Sequence, residues 1–406
     1  MGMYLTLAWR NIWRNKRRSW ITIASIFFAV IIALFTRSMQ LGSYRYMVKS
    51  AVSFYTGYVQ VHSAGFWEEQ SLDKSFIHSG YLKMMTDEVD HVTISTPRLE
   101  SFALISSGEH TAVAMVVGIE PETEDRMTNL KKKVTEGNYL KADEAGILLA
   151  AGIAEILGVS AGDTAVLLGQ GYHGVTAAGK YPVTGIVEFP SPDLNSIMSY
   201  LPLSEAQFLY GAYDRVTAVA FMIESQKELP EVVSQLEERL DETYEVMSWS
   251  DMLPELVQYI EMDNAQGIIM IWIIYMVVGF GILGTLLMMA MERTREFGML
   301  ISIGLKRMRL AFILTLESTI LSLIAVLIGT VMGIPLLAYY RLNPIMLGGK
   351  AAEMVIAYGF EPILPFSMDP GIFWTQALTV LVIAIIAALY PIFRVFRLRP
   401  VEAVRT

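Results

Sequence analysis

Hydrophobic positions along this chain fall into two regimes. Four stretches are almost free of charge, namely residues 19–36, 265–291, 310–340 and 371–393, the third interrupted only by Glu317. Each reaches the roughly 18 apolar residues a helix needs to cross a hydrocarbon core about 30 Å thick. Between the first and second, short alternating runs take over. In residues 57–62, Val59 and Val61 alternate with Tyr58, Gln60 and His62, the period of a half-buried strand. Residues 112–119, 164–168, 181–189 and 215–223 read as further strands. Residues 147–157 and 229–240 read as helices, the second placing Leu229, Val232, Val233, Leu236 and Leu240 on one face. The expected fold is an α-helical membrane protein with four transmembrane helices (19–42, 265–291, 310–340 and 371–393). A large α+β extracytoplasmic domain (43–264) is inserted between helices 1 and 2.

Composition agrees with the membrane reading: 53% of residues are hydrophobic and 17% charged, which excludes a wholly soluble chain. Cysteine is absent, so disulfides, thiolate metal sites, iron–sulfur clusters and a cysteine nucleophile are excluded. Basic residues set the orientation. Residues 1–18, 292–309 and 394–406 together hold fourteen Lys or Arg against three acids, whereas 37–264 holds fifteen against thirty-three. Short basic loops stay cytoplasmic, so both termini and the 292–309 segment are expected inside and the acidic domain outside. The first stretch follows Arg14, Lys16, Arg17 and Arg18 but lacks a small-residue cleavage site, and reads as a retained anchor. Ahead of it, Leu5, Ala8, Ile12 and Trp13 share one side of an interfacial amphipathic helix expected over 1–18.

Catalytic constellations are missing. Gly174 to Tyr181 (GVTAAGKY) approaches a phosphate-binding loop, but Tyr181 stands where a Ser or Thr hydroxyl would reach Mg²⁺. His62, His78, His91, His110 and His173 have no helical metal-ligand spacing, and no nucleophile-elbow motif occurs, so neither a resident metal nor an enzyme site is expected. Within the third span Glu317 is costly in lipid and must pair, protonate or face a cavity. A structural hydrogen bond, a mechanical switch and proton coupling all fit it. Arg37 and Arg341 are expected to mark the outer membrane boundary.

The segment after the second span reads Glu292-Arg293-Thr-Arg295-Glu296-Phe297-Gly298-Met-Leu300-Ile301-Ser-Ile-Gly304, with Lys306, Arg307 and Arg309 following. A mixed-charge first turn, an apolar patch of Phe297, Leu300 and Ile301, and a glycine stop describe a short amphipathic helix able to dock in a partner's groove. Charges that merely anchor two spans would look similar. This segment resembles the corresponding one of ABC permeases of the MacB/FtsX/lipoprotein-releasing (LolC/LolE-type) superfamily. The chain's end, from Tyr390-Pro391 through Arg394, Arg397 and Leu398 to Pro400-Val401-Glu402-Ala403 and Arg405, is similar to that family's closing pattern, with Arg399 a departure. Gly152 to Val159 and Gly162-Asp163-Thr164 resemble the helix and turn of its periplasmic core module.

The resemblance implies a permease that pairs with a second copy or homologue and is driven by a separate cytoplasmic ABC ATPase dimer, which would bring ATP and Mg²⁺; no cofactor is expected in this chain. It implies that residues 292–309 are the coupling element, resting on Glu292, Arg293, Arg295, Glu296, Phe297, Gly298, Leu300 and Gly304. Lipoprotein release by mechanotransmission, MacB-like efflux and FtsX-like regulation of an external hydrolase stay open, with lipoprotein release leading. In lipoprotein-releasing members a loop between two core strands captures a periplasmic carrier. Residues 169–180 occupy that place, making Gly169, Gln170, Tyr172, His173 and Lys180 a candidate carrier-binding hairpin with Tyr172 as an exposed anchor; a plain hairpin is the alternative. Met270, Met276, Met288 and Met289 offer an adaptable lining for a lipid-like substrate, or simple lipid contact. Membrane lipids are expected partners and nucleic acid is not.

Overall fold

The structure is a computed structural model that describes residues 2–14, 16–80, 88–292, 294–357 and 359–396. It divides into a helical unit, Met1–Arg45, Tyr259–Met346 and Ile363–Thr406, and a sheet unit, Tyr46–Gln258 and Leu347–Pro362.

Among the described residues, four helices are long and apolar enough to cross a membrane. They are α2 (Lys16–Ala51), α6 (Pro254–Glu292), α8 (Arg307–Leu342) and α10 (Pro370–Phe396). At about 1.5 Å per residue α2 and α6 are over 50 Å long, well beyond the expected spans of 19–42 and 265–291. The uncharged stretch marks only what lipid requires. Helix formation continues through polar residues until a breaker stops it, Pro254 at one end of α6 and Gly57 beyond α2. Helix α1 (Gly2–Arg14) stops short of residue 18, because α2 begins at Lys16.

Within the helical unit α2 meets α8 through small residues. A Cβ on Gly329 or Gly333 would lie 2.9 Å from Val30 and Leu34 respectively, so the i, i+4 glycines let the backbones approach. Leu321 and Ala325 of α8, Ile282 of α6 and Val380 and Ala384 of α10 complete the core. Arg37 is tied down inside the unit, donating to Gln40 Oε1 (2.7 Å) and Asn264 Oδ1 (2.8 Å), and Tyr44 donates to Asp263 Oδ2 (2.6 Å).

In the sheet unit, where β2 is Phe76–Ile77 and β5 is Val134–Gly137, strands run in the order β12-β1-β11-β3-β4-β9-β6-β8-β5, and β7 pairs with both β3 and β8. The pairings therefore close a ring, β3 (Val92–Ser107), β4 (His110–Ile119), β9 (Met198–Pro202), β6 (Ile147–Ala150), β8 (Thr176–Val187) and β7 (Thr164–Gln170). Closure removes most edges. Ala103, Ile105, Ala114, Val116, Ala165 and Leu167 fill one buried core, while Leu104, aligned with both Val113 and Leu168, is exposed with them. Beyond the ring, β11 (Ala218–Ile223), β1 (Val59–Ser63) and β12 (Tyr244–Ser248) carry α5 (Leu229–Arg239), whose Val232 and Leu236 pack on Val59, Val61 and Phe221.

Several sequence expectations change here. Residues 147–157 are a strand and then a helix, α4 (Ala151–Leu157): a four-residue apolar run is too short for periodicity to separate the two. Strand β8 starts five residues before 181 and ends at Val187, and 215–223 is split at Thr217 into β10 (Arg215–Val216) and β11. Strand β1 is buried on both faces: Gln60 and His62 are 1% and 0% exposed, with His62 stacked on Phe66 at 5.2 Å and its Nδ1 3.1 Å from the Thr217 carbonyl. Burial pulls the His62 imidazole down to about 4.

Strand β3, the longest, is missing from the expected set because Arg98 and Glu100 interrupt its apolar pattern. Both are buried. Arg98 meets Glu124, on α3 (Pro121–Thr128), with Nε and Nη2 donating at 3.0 and 2.8 Å, and it also donates to the Tyr55 carbonyl at the end of a π-type turn. Two donors on two carboxylate oxygens offset much of the cost of enclosing both charges. Between α8 and α10 lie a small pairing of Ile345–Met346 with Ile363–Leu364 and helix α9 (Gly349–Ala357).

Candidate functional site

Helix α7 (Thr294–Ser302) fills the expected coupling segment between α6 and α8. Its stop is a glycine motif: Leu305 N–H donates to Leu300 O and Gly304 N–H to Ile301 O, both at 3.0 Å, with Gly304 at φ +100°. That 6→1 and 5→2 pair is a Schellman ending, and its left-handed residue favours glycine.

One side of α7 faces inward. Phe297 is buried against Leu310 and Leu314 of α8, with Ile301 and Leu305 partly covered, and Gly298 is buried beside it. At about 100° per residue this turns the opposite side out. Met299, Leu300 and Ile303 are 46%, 42% and 84% exposed. The expected apolar patch of Phe297, Leu300 and Ile301 is thus corrected. Two of its members are internal, and Met299 and Ile303 join Leu300 outside. The spacing i, i+1, i+4 from Met299 marks this outward face, whereas the largest apolar side chain of the segment, Phe297, belongs to the inner one.

Charges flank that face. Arg295 is exposed, while Glu296 accepts both hydrogen bonds from Arg14 Nη2, at 2.7 Å on Oε1 and 2.6 Å on Oε2. Helix α1 is therefore part of this site, a contact that no spacing in the sequence signals. It also sets Tyr4 edge-on to Phe312 at 5.9 Å. The backbone of Glu292 ends α6, and Arg293 lies outside the described residues, as does 397–406 of the expected tail. Glu317, on α8, is 2% exposed and so lies inside the bundle, beside Ser318 and Ser322, whose hydroxyls donate to the carbonyls four residues back.

The hairpin at 169–180 looks different from expectation. Gly169 and Gln170 belong to β7 and Lys180 to β8, which leaves a turn of residues 171–175 closed by Gly171 N–H to Val175 O at 2.6 Å. Tyr172 is half-buried against the ring core, under the Arg215 guanidinium at 4.4 Å, and His173 N–H donates to Asp73 Oδ1 at 2.8 Å. Strong pairing shortens the turn and two polar anchors hold it down. His173 is exposed; Tyr172 is not a free anchor.

Residues 268–400 match the family model of the FtsX-like permease C-terminal domain. The chain carries an FtsX-like permease domain. Helix α7, helix α8 with its Glu317, and helix α10 all fall within the matched residues. The lipoprotein-releasing system transmembrane protein LolC of Xylella fastidiosa (strain 9a5c) is 27% identical over 336 residues, 79% of each chain. LolC of Neisseria meningitidis serogroup B is 22% identical over 348 residues, 80% of each. LolE of Haemophilus influenzae is 24% identical over 323 residues, 76% of each. Among solved structures, the extracellular domain of the noncanonic ABC-type transporter YknZ from Gram-positive bacteria aligns with TM-score 0.36 and 15% identity, over 47% of this chain and 100% of its own. The periplasmic region of MacB from Actinobacillus actinomycetemcomitans aligns with TM-score 0.37 and 15% identity, over 52% and 98%.

In the permease domain an anchored inner face (Phe297, Gly298) holds an outer apolar face (Met299, Leu300, Ile303) in one conformation.

Proposed function

We propose that this chain is the membrane subunit of a lipoprotein-releasing ABC transporter. A separate cytoplasmic ATPase, carrying the ATP and Mg²⁺, seats α7 in a groove through Met299, Leu300 and Ile303. A second permease, a copy or a homologue, pairs with the membrane helices. ATP-driven motion of the pair extracts lipidated substrate from the inner membrane and passes it to a periplasmic carrier, with both termini cytoplasmic and the sheet unit outside. The observation that carries this reading is the outward apolar face of α7 inside an FtsX-like domain, and the resemblance to LolC and LolE over some four-fifths of the chain supports the substrate class. Helix α6 supports the pairing: Trp272, Met276 and Phe280 are each more than half exposed, and only 17% of its apolar window is buried. Lipid or a second permease must cover them.

The test is to purify the chain from its native membrane and identify what accompanies it, beside a Met299→Asp, Ile303→Asp variant. An ATPase with triacylated proteins is expected from the native chain. The variant should insert normally and bind the ATPase about 100-fold more weakly, the loss of two contacts near the centre of an interface. Unchanged association would remove α7 as the docking element. A tunnel protein or a hydrolase without lipoproteins would move the function to efflux or regulation.

A further inference from the structure

We infer that the sheet unit holds a divalent transition-metal site, of the Zn²⁺ class, on His91, Glu224 and Glu228. Glu224 and Glu228 are close in sequence, and the fold brings His91, 133 positions before Glu224, to them at one sheet end. His91 immediately precedes β3 and Glu224 follows β11, and the Val92–Ile223 pairing of those strands continues as Glu224 N–H donating to His91 O at 3.0 Å. Glu228 stands at the start of α5, whose Gln235 accepts from Asp90 N–H at 3.0 Å, so the helix is fixed against the turn that carries His91.

His91 Nδ1 is 3.5 Å from Glu224 Oε2 and 3.9 Å from Glu228 Oε2, and one donor atom from each of the three residues lies within 4.8 Å of the others. These separations are at or beyond the limit of a useful hydrogen bond. The His91–Glu224 separation matches the about 3.4 Å between ligand atoms around a tetrahedral ion with bonds of roughly 2.1 Å, and a small turn of the Glu228 carboxylate would bring its oxygen to the same distance. Glu228 Oε2 is enclosed by protein, yet it has no hydrogen-bond partner. A carboxylate oxygen shut away from water beside an imidazole at ion-bridging distance is an acceptor arranged for a cation. Glu231, in the first turn of α5 and holding a hydrogen bond from Gln235 at 3.4 Å, adds negative charge next to it. A nitrogen donor with two carboxylates favours Zn²⁺ and its neighbours over Mg²⁺ and Ca²⁺, which take oxygen sets. Bound there, the ion would fasten α5 to the β3–β11 end of the sheet.

His91 has φ +66°, a conformation that asparagine tolerates, so His91→Asn removes the ligand without adding backbone strain. The full chain in detergent, stripped with chelator, is titrated with Zn²⁺ by calorimetry and with Co²⁺ by absorption. The expected result is one Zn²⁺ per chain and a visible Co²⁺ spectrum, neither displaced by excess Mg²⁺. His91→Asn should abolish both. Glu228→Gln, a near-isosteric change, should weaken binding by about ten-fold or more, while His173→Asn, beside Asp73, should leave binding unchanged. Absence of Zn²⁺ binding by the unaltered chain, or binding that survives both His91→Asn and Glu228→Gln, overturns the assignment.

Discussion

In the sheet unit even charged residues are enclosed: Arg98 and Glu124 meet with 0% and 1% of their side chains exposed, and the turn at 171–175 is held down by Arg215 and Asp73. The helical unit does the reverse, leaving Trp272, Met276, Phe280 and Ile303 more than half exposed. Enclosed charge is tolerable only where every partner is already present, because desolvation is costly. Exposed large apolar groups are tolerable only where lipid or protein will cover them. The Arg98–Glu124 pair therefore holds its unit from within, whereas the exposed faces of α6 and of residues 299–303 depend on what surrounds them.

The largest way to break this contrast is Arg98→Met. Removing the guanidinium leaves Glu124 buried without its partner, and the sheet unit should lose about 3–5 kcal/mol. Amide exchange across β3 and β11 in the full chain should accelerate accordingly, with α8 unaffected. Adding Glu124→Leu should restore much of the protection, since the unpaired charge is then gone. Equal exchange before and after the first substitution would mean that the pair contributes little to holding the sheet unit.

Acid should reach the sheet unit first through His62. Its folded pKa of about 4 lies below the ordinary 6.5, so the unfolded chain binds the proton more readily. Stability from this group is therefore fully present above pH 6.5 and lost as pH falls through the window from 6.5 to 4. The contribution of this group is about 3 kcal/mol at most. Exchange protection of β1 measured across that window should fall in the native chain and stay flatter in His62→Gln. Parallel profiles would show that His62 is not the titrating group.

The same contrast explains what could be read from sequence. The four apolar spans and the glycine stop of α7 are local signals, carried by runs such as residues 371–393 and by Gly304 itself. Strand β3 is invisible locally because Arg98 reads as surface until Glu124, 26 residues on, is brought against it. Strand β1 misleads for the same reason: Gln60 and His62 are polar yet covered from both sides. At the candidate site, Phe297 and Gly304 were legible as belonging to a short helix, but which residues face outward depends on Leu310 and Leu314 taking Phe297 inward. The engagement of Glu296 by Arg14, 282 positions away, has no sequence signature at all. Enclosure by distant parts of the chain is what hides a position from sequence reading.

A matched pair of glycines sharpens the contrast with the smallest effect. Gly304 (φ +100°) and Gly174 (φ +76°) both occupy the left-handed region, and a Cβ at either meets nothing within 4 Å. Alanine therefore imposes only the backbone cost, about 1 kcal/mol, at both positions. At Gly304 that cost loosens the Schellman ending which orients Leu300 and Ile303, so ATPase affinity should fall about five-fold. At Gly174 the same cost falls on a turn whose position is set by Asp73 and Arg215, in the sheet unit, and on the proposed reading affinity should not change. Titrating the ATPase against both variants separates the two loops with backbone strain held equal: a five-fold loss from both would mean that the affinity reports general destabilisation, and a loss from Gly304→Ala alone would tie it to the orientation of α7.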